Sequence, residues 1–249
     1  MVATASYVAE TSAEISALVE QPPHTMSIAE FAKEIYRHEI RILTDAPARL
    51  VDNPGLLGAV RGAFGERLRQ SASTAARDGR RCPWRPASAL DVLWGKRQAT
   101  TSTEVPAPYL TFAEESPDET LVLGMALFGI ASGWSGTAAD ALTAACEGEL
   151  WLPGRQKLQL TIVDREVRAV QGLPPAPEAN RHRLRFLTPL RILRDGHLLG
   201  LEDLAVNGAI FGASLGNRAT GFARWHGVRL DVGGPAIKAL WEAVRVNMG

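Results

Sequence analysis

One uncharged run, "TLVLGMALFGI" at residues 120–130, constrains this 249-residue chain more than any other stretch. It is too short for the roughly eighteen apolar residues that a membrane span needs. It reads instead as a largely buried β-strand, which has to be covered by other elements. The chain has material for that cover, with 46% apolar and 22% charged residues. Its length suits one large domain or two small ones with a substantial core.

The elements around the run alternate. "TSAEISALVEQ" and "SIAEFAKEIY" each carry a capping box, Thr11 with Glu14 and Ser27 with Glu30, and read as short helices. Residues 1–34 form an N-terminal extension in this reading. "YRHEIRILT" (36–44) alternates and is rich in β-branched residues, so it is a strand. "LLGAVRGAFGERLRQS" (56–71) repeats Leu57, Val60, Phe64 and Leu68 at helical spacing, yet contains Gly58, Gly62 and Gly65. Each glycine costs about 1 kcal/mol against alanine, so close approach of that helix to strands or to a ligand is expected.

A Pro-rich basic loop follows, then a short helix or strand at "ALDVLWGK", and a strand at "PYLTF". After the buried run come a helix at 136–148, a long strand or hairpin at 156–170, and a linker, "QGLPPAPEAN", at 171–180. Beyond the linker, "RHRLRFLTPLRIL" alternates as a strand, residues 201–227 are helical in pattern, and a last helix closes the chain. Strand, helix, strand, strand, helix, strand is the ferredoxin-like order. The expected class is α+β: a ferredoxin-like domain at 35–170 and a second, shortened ferredoxin-like domain at 181–249.

Lys+Arg and Asp+Glu number 27 each, and the net charge is zero. The distribution is uneven. Residues 38–97 hold eleven cations and six anions, residues 98–150 hold eight anions and no cation, and residues 151–198 hold nine cations and four anions. Arginine dominates the basic set, and its planar fork suits phosphate oxygens and base faces. Opposite charges that meet and cancel on a folded surface are the alternative. Cys82 and Cys146 are far apart with no His or Cys at ligand spacing, so neither a structural zinc nor a disulfide scaffold is expected. No Walker A, GxSxG, HExxH or paired CxxC motif occurs, and no cofactor or metal is expected. The N-terminus lacks the pattern of a signal peptide, and a cytoplasmic protein is expected.

Five stretches in order, "VRGAFGERLRQ", "RRCPWRPASALDVLWGK", "APYLTF", "LVLGMALFGIA" and "RLRFLTPLRILRDGHLLG", resemble the RAMP superfamily of CRISPR-associated proteins. The nearest branch processes precursor CRISPR RNA. "ARWHG" (223–227) also resembles that branch's helix-terminal "ARFHG". The resemblance spans roughly residues 36–227. It departs at Glu66, where relatives often carry His, and the branch's C-terminal Gly-rich segment has no counterpart before Gly249. It implies two ferredoxin-like (RAMP/RRM-type) folds holding repeat-derived CRISPR RNA. It also implies metal-independent cleavage by attack of a 2′-hydroxyl on the adjacent phosphate, leaving a 2′,3′-cyclic end. A non-catalytic backbone subunit that caps the guide RNA among other CRISPR effector subunits is the alternative. A small-molecule enzyme or interaction module on the same fold is a third class.

That chemistry needs a proton acceptor for the 2′-hydroxyl, a donor for the leaving oxygen, and cations for the phosphorane. Tyr36 and His38 share one face of the first strand and are the first catalytic candidates, against an exposed strand face. His226 is the third, and its place near a helix end also suits capping or packing. The RNA-binding candidates form three clusters: Arg61, Arg67 and Arg69 with Arg80, Arg81 and Arg85; Arg155 with Lys157; and Arg183, Arg185, Arg191 and Arg194. Trp84 and Trp94 can stack on bases, with burial the alternative for Trp94.

Overall fold

The computed structural model describes residues 10–100, 103–173, 193–194, 197–198 and 208–231. The elements are α1 (Ser12–Glu20), β1 (His24–Met26), α2 (Ile28–Glu34), β2 (Tyr36–Pro47), α3 (Leu56–Gln70), α4 (Thr74–Arg77), α5 (Ala89–Trp94), β3 (Gln98–Thr100) and β4 (Thr103–Glu104). They continue with β5 (Tyr109–Glu115), β6 (Thr120–Phe128), α6 (Ser135–Glu147), β7 (Leu150–Leu152), β8 (Gln156–Leu158), β9 (Ile162–Gln171), β10 (Leu193–Arg194), β11 (His197–Leu198), α7 (Gly208–Arg224) and β12 (Val228–Leu230). The chain is a mixed α+β protein with an antiparallel central sheet.

That sheet has the order β5-β6-β2-β9, and every neighbouring pair is antiparallel. The apolar run becomes β6, an interior strand, as its lack of charge requires. The period of two sorts β2 cleanly. Ile40 and Ile42 are fully buried beneath α3 and α6, whereas Arg37, Glu39 and Arg41 point to the other face. Leu56, Val60, Phe64 and Leu68 of α3 and Ala138, Leu142 and Ala145 of α6 complete the main core. The expected strand or hairpin at 156–170 is two elements: β8 pairs back on β7, and β9 is the sheet edge.

Both capping boxes form as their spacing requires. The N-terminal segment is less peripheral than its composition implies, because Ile15 and Val19 of α1 are fully buried in the main core. The other sheet face is covered at one end by a second apolar cluster. Phe31 and Ile35 pack there with Ala126, Phe128, Ala223, Val228 and Leu230. Residues 223–230, which the sequence reading assigns to a second domain, therefore pack on the first. β12 also pairs in parallel with β1, His24 opposite Val228. Most of the 181–249 segment lies outside the described residues.

The end of α7 is fastened at two points. Gly129 has φ +57, and a Cβ there would lie 2.0 Å from the Trp225 carbonyl oxygen, so only glycine fits. The next residue, Ile130, donates its N–H to that carbonyl at 2.8 Å. On the core side the Trp225 indole, 1% exposed, lies 5.1 Å from the guanidinium of Arg97 and donates Nε1–H to Pro106 O at 2.8 Å.

Arg97 is itself 2% exposed. Its Nη1 donates to the carbonyls of Asp91 (3.0 Å), Gly95 (3.0 Å) and Val92 (3.4 Å), the open C-terminal end of α5. Its Nη2 lies 3.5 Å from the Asp91 carboxylate. Burial lowers the Arg97 pKa and Asp91 opposes that shift. An arginine nonetheless stays charged, and here its charge is met by a carboxylate, a helix C-terminus and an aromatic face. Removing it takes this donor from the Asp91 carboxylate and from the Gly95 and Val92 carbonyls, while the Asp91 carbonyl keeps the Gly95 N–H. We expect Arg97→Ala to lose about 3 kcal/mol of stability, the low end for breaking a buried pair. Urea unfolding measures this as a lower midpoint at unchanged slope; an unchanged midpoint contradicts the assignment.

Candidate nucleic-acid interface

His38 lies on the helix-side face of β2, opposite Leu127 of β6, whereas the Tyr36 ring packs on His226 at the end of the sheet. His38 sits under the start of α6, where its Nδ1 is 2.8 Å from Ser135 Oγ. Burial lowers its pKa below the ordinary 6.5, partly offset by a hydrogen bond to the Ser132 backbone. Burial thus favours the neutral imidazole, half-buried and beside a hydroxyl, the form that a general base uses. Sequence alone did not mark Ser135, because nothing local connects residues 38 and 135.

His226 is used differently. Its Nδ1 is 2.8 Å from the Phe222 carbonyl, one turn back in α7. Its Nε2 lies 2.9 Å from Tyr36 O and 3.1 Å from Tyr36 N. With the proton on Nδ1, the ring donates to Phe222 O and accepts the Tyr36 N–H. Edge-on contacts to Phe31 (5.1 Å) and Tyr36 (5.0 Å) complete the cage. Both nitrogens are committed to backbone groups, so His226 packs the sheet end. Burial lowers its pKa, with the Phe222 and Tyr36 backbone bonds opposing.

The α3 glycines also differ from expectation. A Cβ at Gly58 or Gly62 would meet open space, so neither allows a close approach. Gly65 does, but to the Trp94 indole, 3.1 Å from the position of a Cβ, rather than to strands. Arg61 lies over Trp94 (5.7 Å) and Tyr109 (5.8 Å) and donates Nε–H to the Tyr109 hydroxyl at 3.0 Å. Arg61 also lines a cleft of about 370 Å³ with Trp94, Lys96, Glu104 and Pro106. Arg67 is half-buried against Gly148 at the end of α6, and Arg69 is exposed.

Arg80 pairs with Asp78 (2.7 Å), Arg81 with Glu20 (3.9 Å) and Arg85 with Glu14 (3.7 Å), all at the surface. Such pairs contribute about 0–1 kcal/mol and yield readily to a phosphate. Arg155 and Lys157 lie on the β7–β8 hairpin, with Lys157 3.0 Å from Glu149. Arg183, Arg185 and Arg191 lie outside the described residues, and Arg194 is described only as backbone in β10. Cys82 anchors the basic loop: its sulfur accepts from Ser73 Oγ at 3.2 Å and Ser88 N–H at 3.4 Å. Trp84 of that loop is 47% exposed.

The two sheet faces differ in the cations they leave available. On the face away from α3 and α6, Glu39 takes hydrogen bonds from Arg37 (2.8 Å) and Arg168 (2.7 Å), and Arg41 pairs with Glu114. Burial raises the Glu39 pKa, but the bonds from Arg168 and Arg37 outweigh it and hold the carboxyl below its ordinary range. The acidic 98–150 segment thus does neutralise neighbours, through Arg41–Glu114, Lys96–Glu104, Lys157–Glu149 and Arg165–Asp140. On the helix side, Arg61, Arg67, Arg69 and Arg155 form no ion pair among the described residues. Also among the described residues, no group of three or more His, Cys, Asp or Glu is arranged to hold a metal, and no helix is long and apolar enough to cross a membrane.

The family model AF_1859_N, described as an N-terminal domain, matches residues 32–179, more than half of the chain, and the chain belongs to that family. No curated protein and no solved structure matches it.

Both histidines have depressed pKa values in the fold, so the unfolded chain binds more protons below about pH 6.5. Their contribution to stability is complete above that value and is lost as the pH falls toward the folded values. Thermal melts between about pH 8 and pH 5 should fall on the acid side. His226→Asn should melt lower at pH 8 yet show a shallower fall. An identical slope in the variant contradicts a neutral, caged His226.

Proposed function

We propose that this chain is a RAMP-type protein of a CRISPR system that binds repeat-derived CRISPR RNA along its helix side. The observation that carries the reading is where the motif residues meet. Gly129 of "LFGIA", Trp225 and His226 of "ARWHG", and Tyr36 of the first strand touch one another at one end of the sheet. Two stretches chosen for their resemblance, far apart in sequence, form one contact set with the start of the first strand. The strand order β5-β6-β2-β9, which puts the first and third strands of the repeat in the middle, supports a ferredoxin-like domain. The helix-side arginines without carboxylate partners supply phosphate contacts.

In this reading His38 is the general base. It takes the 2′-hydroxyl proton, the 2′-oxygen attacks the adjacent phosphorus as the bond to the 5′-oxygen breaks, and the 5′-oxygen leaves with a proton taken from solvent water. Arginines such as Arg61 stabilise the charge on the phosphorane. One observation favours the second reading, a non-catalytic subunit capping the guide RNA: His226 is committed to backbone bonds and Tyr36 packs against it.

A labelled cognate repeat RNA incubated with the protein in EDTA decides between them. Cleavage at one position, reduced about 10²- to 10⁴-fold in His38→Ala with binding retained, supports the nuclease. Tight, salt-sensitive binding without cleavage supports the capping subunit. Absence of binding to any repeat RNA overturns both.

A further inference from the structure

We infer that the β7–β8 hairpin is a stacking arm for single-stranded RNA, with Trp151 as the platform and Arg155 as the phosphate contact. The inference rests on the RNA-binding reading above and assigns a residue, Trp151, that the sequence did not mark.

The hairpin register sets Leu150 opposite Leu158, Trp151 opposite Lys157 and Leu152 opposite Gln156. Leu150 and Leu152 are buried, so alternation turns Trp151 and Lys157 to the outer face. Trp151 is 54% exposed, more than Trp84 of the basic loop. Lys157 Nζ lies 4.7 Å from the Trp151 ring centroid, on the same face as Glu149, its ion-pair partner. A cation on one side of an indole is compatible with a base stacked on the rest of it.

The tip is Pro153, Gly154 and Arg155. Gly154 has φ 78, and Arg155 has φ 62, a conformation that L side chains rarely adopt. The arginine is held out at the turn, with no ion pair among the described residues. The arm is also anchored. The Pro153 ring packs on Gly55, where a Cβ would lie 2.1 Å from it, at the start of α3. One indole, one free guanidinium and one amine on an anchored hairpin fit alternating bases and phosphates. They fit neither a cationic partner nor a plain apolar one.

The test uses the full chain and a fluorescein-labelled single-stranded RNA of about twelve nucleotides, read by anisotropy. Trp151→Ala should weaken binding roughly 5- to 100-fold, the range for loss of one stacked base, and Trp151→Phe should restore most of it. Arg155→Ala should weaken binding and reduce the salt slope by about 0.7, as for one phosphate contact. Wild-type affinity and salt slope in both alanine variants overturn the arm and leave RNA binding standing. No binding by the wild-type protein overturns the underlying reading as well. Equal losses in Trp151→Ala and Trp151→Phe also overturn it, because the aromatic face is then not what binds.

Discussion

The buried guanidinium of Arg97 is the interaction on which the arrangement at the sheet end depends. A charge this far from water is costly unless its surroundings replace the water it lost. Here the replacement at the two terminal nitrogens comes from the carbonyls ending α5, the Asp91 carboxylate and the Trp225 face, while Nε is buried without a hydrogen-bond partner among the described residues. Arg97 is local to α5, but Trp225 is more than a hundred residues away. One cation therefore fixes both a short helix and the end of α7. That placement brings the Trp225 carbonyl onto Gly129 and the His226 ring onto the backbone of Tyr36. Tyr36 opens the strand that carries His38, so the fastening of α7 and the position of the candidate base share one strand.

Much of the local structure was legible in the sequence because it is governed by near neighbours. The capping boxes at Thr11 and Ser27, the alternation of β2 and the uncharged β6 each follow from spacing alone. The misses share a cause, which is contact across the chain. The three α3 glycines look alike in sequence, yet only Gly65 meets a neighbour, and that neighbour is Trp94. Arg97 looks like any surface arginine beside Lys96, and its contact with the distant Trp225 is not visible from its neighbours in sequence. His226 offers the same residue type as His38, but its cage is built from Phe31, Tyr36 and Phe222. Ser135 and Trp151 carried no motif at all. Ser135 is marked by its contact with His38, and Trp151 by its exposure on a hairpin whose other side is buried.

Charge behaves in the same way. The sequence separates basic and acidic segments, and the folded faces differ in how far those charges meet. On one sheet face Arg37, Arg41 and Arg168 are ion-paired, the first and last sharing Glu39 and the second with Glu114. On the helix side Arg61, Arg69 and Arg155 are left without carboxylates among the described residues. Net charge is therefore a poor guide to partners here, and the local balance on each face is the relevant quantity.

The central claim is that RNA lies along the helix side and the β7–β8 hairpin rather than on the opposite sheet face. Photo-crosslinking of a thiouridine-substituted repeat RNA, with the crosslinked peptides identified by mass spectrometry, tests it most directly. The account predicts crosslinks in the peptides containing Arg61, Arg69 and Trp151. Crosslinks confined to the β2 and β9 peptides containing Arg37, Arg41 and Arg168 would contradict it.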